Sequence, residues 1–363
     1  MSPHKKTTMD EKVDETDRAL LDFIQDDLPE EAEPFSQAAQ GCGISQEELL
    51  GRLERLLREG CIRRISALLD LQRLGYRSTL VAVKTPEDVA DAVAERISAH
   101  PGVGHNYLRE GEYNIWFTLT IPGRLSHERE VERLLAGSGA EDAMLLPSLR
   151  RYKLRVHLPT GSPPPEAPVL ESSPAREGSE AAPESGAVGI VAPELDKTDE
   201  RLLEVMQEPF PLLRRPWEDI GRPMGINGGE VLRRVGRLKS LGVVRRISGV
   251  LHHRRAGYSA NGMACFQLAA DNAGQTAAPY TEGRKDEAGR IAAGFAEVSH
   301  CYLRDVPARF PFPLFAMIHA RDRESCRQTA SRIAEAIEVQ DYRLLFSTKE
   351  YKKVRITYKR EDI

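Results

Sequence analysis

The chain repeats itself. DETDRALLDFIQ opens at Asp14 and DKTDERLLEVMQ at Asp196, 182 positions on, and IRRIS at 62–66 returns as VRRIS at 244–248 in the same register. Gly75-Tyr76 and Gly257-Tyr258 keep that offset, so the register holds without a gap from Asp14 to Tyr76. Farther along, HNYLR at 105–109 answers HCYLR at 300–304, and Leu145, Ser148 and Tyr152 answer Leu344, Ser347 and Tyr351. A repeat of this length copies a whole two-module unit, not a solenoid period. It predicts a pseudo-two-fold dimer within one chain, with further homo-oligomers left open. Residues 159–193, rich in Pro, Ser, Gly, Ala and Glu, carry too little apolar surface to offset their ordering entropy, and read as a tether between the halves.

Each half opens with helical signals. Thr16 is placed to cap a helix bearing Leu20, Leu21 and Ile24 on one face. Ser45 with Glu48 forms a capping box before a helix carrying Leu49, Leu53, Leu56 and Leu57, and Gly60 ends it. Asn227 and Glu230 repeat that start in the second half. CIRRISALLD then reads as a β ribbon. Three helices and a strand pair make a winged helix-turn-helix, over 14–76 and 194–256. The remainder of each half, 77–158 and 257–360, follows the order βαββαβ, the ferredoxin-like pattern, with YRLLFS and KKVRITY as closing strands of the second copy. The fold class is α+β.

Composition narrows the function. The chain is 40% hydrophobic and 29% charged with net charge −4, it shows no apolar run of membrane length, and its N-terminus lacks a secretory h-region. A soluble cytoplasmic protein without a membrane partner is expected. Five cysteines, an odd number without a CxxC pair, fit small buried residues better than a disulfide framework or zinc cluster. The second third helix, GGEVLRRVGRLKSLG, carries Arg233, Arg234, Arg237 and Lys239 and could read DNA. The acidic balance, and the first copy QEELLGRLERLLRE, argue for a solvated face and against DNA as a partner.

Three clusters could carry chemistry. VRRISGVLHHRRAGYSANGM holds Arg245, Arg246, His252, His253, Tyr258 and Asn261. SHCYLR sets His300, Tyr302 and Arg304 on one strand face, because side chains alternate, and Arg309 follows. FPLFAMIHA ends in His319. The first half keeps His105, Tyr107 and Arg109, but has Asp70-Leu71 in place of His252-His253 and no counterpart of His319. Arginine forks suit carboxylates, and histidine moves protons near neutral pH. No catalytic triad, P-loop or dinucleotide fingerprint is present.

The two-module unit resembles the Lrp/AsnC regulators. The string RRIS…LHHRRAGYSANGM, SHCYLR and FPFPLFAMIHA is more specific: over both halves the chain resembles the sirohaem decarboxylases, as a fusion of their two subunit types. Phe310-Pro311-Phe312-Pro313 departs from the Trp-Pro-Tyr-Asn usual there. The resemblance implies loss of carboxyl groups from two acetate side chains of sirohaem, giving didecarboxysirohaem on a haem b or haem d1 pathway. Arg245, Arg246, Arg304, Arg309 and Arg109, with Tyr258, Asn261, His319 and His105, would then bind the carboxylate-fringed macrocycle. Imidazolium from His300 or His253 would donate the proton, and Arg304 and Tyr302 would stabilise the developing charge. No cofactor beyond the substrate's own iron is implied; which histidine meets that iron stays open. The competing readings are a haem-responsive DNA-binding regulator and a tetrapyrrole carrier without turnover.

Overall fold

The computed structural model describes residues 13–154, 193–251, 260–268 and 281–359. The first half contains α1 (Glu15–Gln25), α2 (Ser36–Gly41), α3 (Gln46–Arg58), β1 (Ile62–Leu69), β2 (Tyr76–Lys84), α4 (Ala90–Ser98), β3 (Val103–Arg109), β4 (Ile115–Pro122), α5 (His127–Leu135) and β5 (Asp142–Leu154). The second half repeats the order with α6 (Lys197–Met206), α7 (Pro216–Gly221), α8 (Gly228–Ser240), β6 (Val244–Leu251), β7 (Ala260–Phe266), α9 (Glu282–Gly294), β8 (Val298–Arg304), β9 (Leu314–Ala320), α10 (Arg323–Ala336) and β10 (Tyr342–Lys353).

Local chemistry explains the starts. α1 begins one residue before the expected cap: Asp14 accepts from the Asp17 amide at 2.7 Å and Asp17 reaches back to the Asp14 amide at 3.2 Å. This reciprocal box satisfies two of the amides a helix start leaves orphaned, so Asp14 outcompetes Thr16. Asp196 and Asp199 repeat it at α6. Ser45 and Asn227 cap α3 and α8 by accepting from the N3 amide, but the expected box does not close, because Glu48 turns to Arg52 and Glu230 to Arg234.

The ribbon departs from expectation. Ile62–Leu69 runs unbroken for eight residues, and β1 pairs antiparallel with β6 of the other half. An edge strand with a single hydrophobic face needs a partner, and its own duplicate supplies one. Ser66 pairs with its repeat counterpart Ser248, so the pseudo-two-fold axis passes there. The helices share a core across the halves: Leu20, Ile24, Leu49 and Leu53 pack in one cluster with Leu202, Trp217, Val231 and Leu238. The Trp217 indole donates to the Glu31 carbonyl at 2.6 Å.

In each half the strands form the ferredoxin-like order, β3-β4-β2-β5 and β8-β9-β7-β10. The long closing strands then exchange: β5 pairs β8 and β10 pairs β3, which closes an eight-stranded barrel. The tyrosines repeated at 152 and 351 lock this exchange. Tyr152 donates to Asp286 on α9 at 2.8 Å, and Tyr351 bonds Asp91 on α4. Gly289 on α9 gives Tyr152 its berth; a Cβ there would lie 2.1 Å from the ring. The expected closing strand KKVRITY is not separate: Lys352 and Lys353 end β10, and the strand stops there. Residues 354–359 form an irregular strap that runs to the helical core, where Tyr358 is buried and its amide donates to Gln207 at 2.6 Å.

Alternation decides which side chains enter the barrel. Cys301 and Leu303 of β8 pack in the helix-covered core. His300, Tyr302 and Arg304 therefore face inward, and His105, Tyr107 and Arg109 of β3 do likewise. One end of the interior is apolar, filled by Trp116, Met144, Leu146, Met263, Phe310, Phe312, Phe315 and Leu345.

Candidate active site

The other end of the barrel is polar and drawn from both halves. On β10, Lys353 stands directly opposite His105 of β3. On β8, His300 pairs with Met317, which places His319 one inward step farther along β9. Their fields overlap. Burial, then the charges of Lys353 and Arg63, hold His105 at about 4. Burial holds His300 at about 3, with His319, His105 and Lys353 adding to the push. His319 sits at about 4, through burial and the charges of Lys353 and Arg109. His105 is nonetheless exposed to water. His300 and His319 are half-buried, so His105 lies nearest to solvent in the polar end of the barrel.

Two arginines occupy matching places. Arg109 donates to the Leu345 carbonyl at 3.0 Å, and Arg304 to the Leu146 carbonyl at 2.7 Å. Leu345 and Leu146 lie on exchanged strands, so each guanidinium reaches into the other half. Arg304 also lies over Tyr302 and Phe315, 4.8 and 5.5 Å from the ring centroids. Arg109 stands 5.4 Å from the Tyr107 centroid, is 4% exposed, and has a buried Nε without a hydrogen-bond partner among the described residues. Burial lowers its pKa to about 10, so it stays charged at neutral pH. Ser148 and Ser347, flagged by the repeat, face these arginines across the strand pairs, and both hydroxyls are buried without a partner among the described residues. A polar shell left open in this way suits a ligand rich in acceptors.

Burial favours the neutral form of His300. Its Nδ1 lies 2.7 Å from the Ser299 hydroxyl, which itself donates to the Met317 carbonyl at 3.4 Å. The hydroxyl thus bridges the imidazole and the β9 main chain and fixes the ring's orientation.

The other sequence candidates scatter. Asn261 pairs with His319 across β7 and β9, its Oδ1 buried without a partner among the described residues. Arg246 lies half-buried on the ribbon. Arg245 is engaged by Asp70 at 2.6 and 3.1 Å, the residue that replaces the second half's histidine. Arg309 lies at the far end of β5, bound to Asp142 at 3.0 Å and Tyr113 at 3.1 Å, away from the histidines. His252, His253 and Tyr258 lie outside the described residues. Phe310 and Phe312, which stand where the resembled family carries Trp and Tyr, pack with Trp116 and Phe315 as a floor.

Sequence reasoning missed three residues. Arg63, the repeat of Arg245, bonds the Lys353 carbonyl and projects its charge onto His105 and Tyr107. RRIS occurs in both halves, so this signal was available. Glu350 stands opposite Tyr107 and joins burial in pushing that phenol's pKa up. Neither Glu350 nor Lys353 stands out within KEYKK, because only the exchanged pairing brings them to the chamber.

The helix-turn-helix arginines have internal work. Arg234 binds Asp196 at 2.8 Å and Asp199 at 2.7 Å, and Arg237 binds Asp199 at 2.5 Å. Arg52 and Arg55 treat Asp14 and Asp17 in the same way. Arg233 is held by Glu230, and Lys239 by Asp27 and Glu30. The basic face of α8 is thus largely neutralised from within. Among the described residues no helix is long and apolar enough to cross a membrane.

Fold and site together define a tandem protein of helix-turn-helix and AsnC-like units, with a polar histidine–arginine cluster drawn from both halves. Residues 17–63 and 199–245 match the model of the "Siroheme decarboxylase NirDL-like HTH domain", and 73–153 and 273–352 that of the "AsnC-like ligand binding domain". The chain belongs to the siroheme decarboxylase family. The siroheme decarboxylase of Hydrogenobacter thermophilus is 36% identical over 94% of this chain and 95% of its own. The alpha subunit of that enzyme from Desulfovibrio desulfuricans is 39% identical over 40% of this chain and 83% of its own. A crystal structure of the siroheme decarboxylase NirDL in complex with an iron-uroporphyrin III analogue has 32% identity and a TM-score of 0.67, covering 95% of this chain and 94% of that one.

Proposed function

We propose that this protein is a carboxy-lyase that removes two acetate carboxyl groups of sirohaem as carbon dioxide, without oxidation, giving 12,18-didecarboxysirohaem for haem b or haem d1 formation. The observation that carries the reading is the composite chamber: His105, His300, His319, Arg109 and Arg304 from both halves converge over an aromatic floor. A flat macrocycle fringed with carboxylates matches it, with arginine forks for the rim and aromatic rings for a face. Five free cysteines without a disulfide fit a reducing cytoplasm.

The chemistry asks little of a cofactor. Breaking the bond to carbon dioxide leaves an electron pair on a methylene carbon beside a pyrrole, and the macrocycle spreads that charge. The substrate brings its own iron. One proton is consumed per carboxyl lost. The protein's tasks are to clamp the spectator carboxylates with Arg109 and Arg304, to hold the reacting acetate beside His300, His319, Tyr302 and Asn261, and to supply the proton. Bound carboxylates also favour the protonated histidines, so proton uptake accompanies binding.

Anaerobic incubation with sirohaem, followed by mass analysis of the tetrapyrrole, tests this. Loss of two carbon dioxide units is expected. His300→Ala should lower turnover by about 100-fold or more while altering ligand affinity far less. Sirohaem that binds and remains intact would instead identify a carrier.

A further inference from the structure

The barrel interior holds a serine–arginine pair that the repeat duplicates. Ser347 of β10 stands directly opposite Arg109 of β3, and Ser148 of β5 directly opposite Arg304 of β8. Residues opposed in this way point to one face with Cβ atoms about 5 Å apart, so each hydroxyl lies beside its guanidinium. Both serine hydroxyls are buried without a hydrogen-bond partner among the described residues. So is Nε of Arg109, a side chain that is 4% exposed. Arg109 is fixed meanwhile by its bond to the Leu345 carbonyl, and Arg304 by its bond to the Leu146 carbonyl.

Strand pairing does not need these hydroxyls; alanine would extend the same ladders without burying an unmatched polar group. A serine hydroxyl donates one hydrogen bond and Nε–H another, so the complement of both is an acceptor. The guanidinium's charge makes that acceptor an anion, and a carboxylate has two oxygens, one for each donor. The two pairs belong to one small space. The charges of Arg109 and Arg304 both act on the buried thiol of Cys265, which packs with Trp116 and Phe315 in the apolar end. A single flat ligand resting on that aromatic floor reaches both pairs.

We propose that Ser347 and Ser148 are substrate-binding residues: Ser347 with Arg109, and Ser148 with Arg304, each seat one carboxylate of the tetrapyrrole, and the two seats are related by the pseudo-two-fold axis. This rests on the reading above that a carboxylate-fringed tetrapyrrole is the ligand. In each seat the hydroxyl donates to one carboxylate oxygen and the guanidinium to the other, which fixes the rotation of the carboxylate as well as its position. The carboxylates held there stay on the macrocycle, and no bond is made or broken at the seats. Two fixed carboxylates set the orientation of the ring and so decide which acetate lies beside the histidines.

A binding role and a structural role predict opposite signs. Ser347→Ala and Ser148→Ala each remove a hydroxyl that the free protein leaves unmatched, so both variants should melt no more than about 2 °C below the wild type. Their affinity for iron uroporphyrin III, followed by its absorbance, should nonetheless fall about tenfold, as for loss of a hydrogen bond to a charged group. Double-mutant cycles test the sharing. Ser347→Ala combined with Arg109→Met should lose about fivefold less than the product of the single losses, because both groups hold one carboxylate. Ser347→Ala combined with Ser148→Ala should lose the full product, because the seats are separate. Three results overturn the proposal: weakening below about threefold in either serine variant, a fall in melting temperature beyond about 2 °C in either, or independent losses for Ser347 and Arg109. A wild type that fails to bind iron uroporphyrin III would overturn the tetrapyrrole reading itself. A wild type that binds it, with serine variants binding as tightly, would overturn only the seats.

Discussion

The two halves of the barrel interior share a frame and differ in reactive groups. Arg109 and Arg304 match, down to the carbonyl each reaches on the exchanged strand. Beside them the halves diverge. Where the second half sets His319 against Asn261, the first sets Thr120 against Ser78, two hydroxyls joined at 3.0 Å. Where β10 offers Glu350 and Lys353, β5 offers Arg151 and Leu154. Duplication preserves what both closures need, namely strand pairing, helix caps and carbonyl-bound arginines. It leaves the chamber-lining positions to vary, because a side chain facing a cavity has few packing neighbours to satisfy.

That contrast can be broken. Replacing His319 with Thr and Asn261 with Ser makes the second half mimic the first, and turnover should fall about 100-fold. The reciprocal Thr120→His with Ser78→Asn should leave turnover within about threefold. Equal losses from the two exchanges would dismiss the asymmetry. The helix-turn-helix cores should behave alike. Arg234→Ala and Arg52→Ala each strip a cation from a buried aspartate, Asp199 or Asp17. Each should cost about 2 kcal/mol in denaturant melts, less than a lone buried pair because Arg237 or Arg55 still covers the carboxylate. A loss of low-salt duplex binding in either variant while the fold is kept would argue for a nucleic-acid role.

A smaller effect compares the clamps. Arg109→Met and Arg304→Met should each weaken iron uroporphyrin III by about tenfold, the worth of one charged hydrogen bond. Titration should reveal a difference below about threefold between them if the frame is symmetric. The smallest effect concerns acid. His300 and His319 have folded pKa values of about 3 and about 4, below the ordinary 6.5. The unfolded chain therefore takes up protons first, and their contribution to stability is complete above about pH 6.5 and is lost as pH falls toward 4. His300→Gln should flatten this slope more than His105→Gln, since His105 is wetted. Equal slopes in melts from pH 7 to about pH 4 would contradict the difference in burial.

Much of the fold was legible in the chain. The repeat announced two units and their pairing, the cap residues Ser45 and Asn227 marked the starts of α3 and α8, and alternation put His300, Tyr302 and Arg304 on one face. Asp14 displaced Thr16 as a cap because two aspartates three residues apart satisfy each other's amides. The site was half legible. HNYLR and HCYLR mark chamber residues within each strand, whereas Arg309 proved to belong to the aromatic end and Arg245 to an ion pair with Asp70.

The sequence by itself determined the duplicated units, their helices and strands, and the inward stripe of each site strand, because these depend on local periodicity and capping. Only the tertiary structure decided that β1 pairs with β6, that β5 and β10 trade places, and that Lys353 thereby meets histidines from both halves. Pairing between distant strands is chosen by closure of the whole sheet and burial of its edges. No window along the chain records that choice.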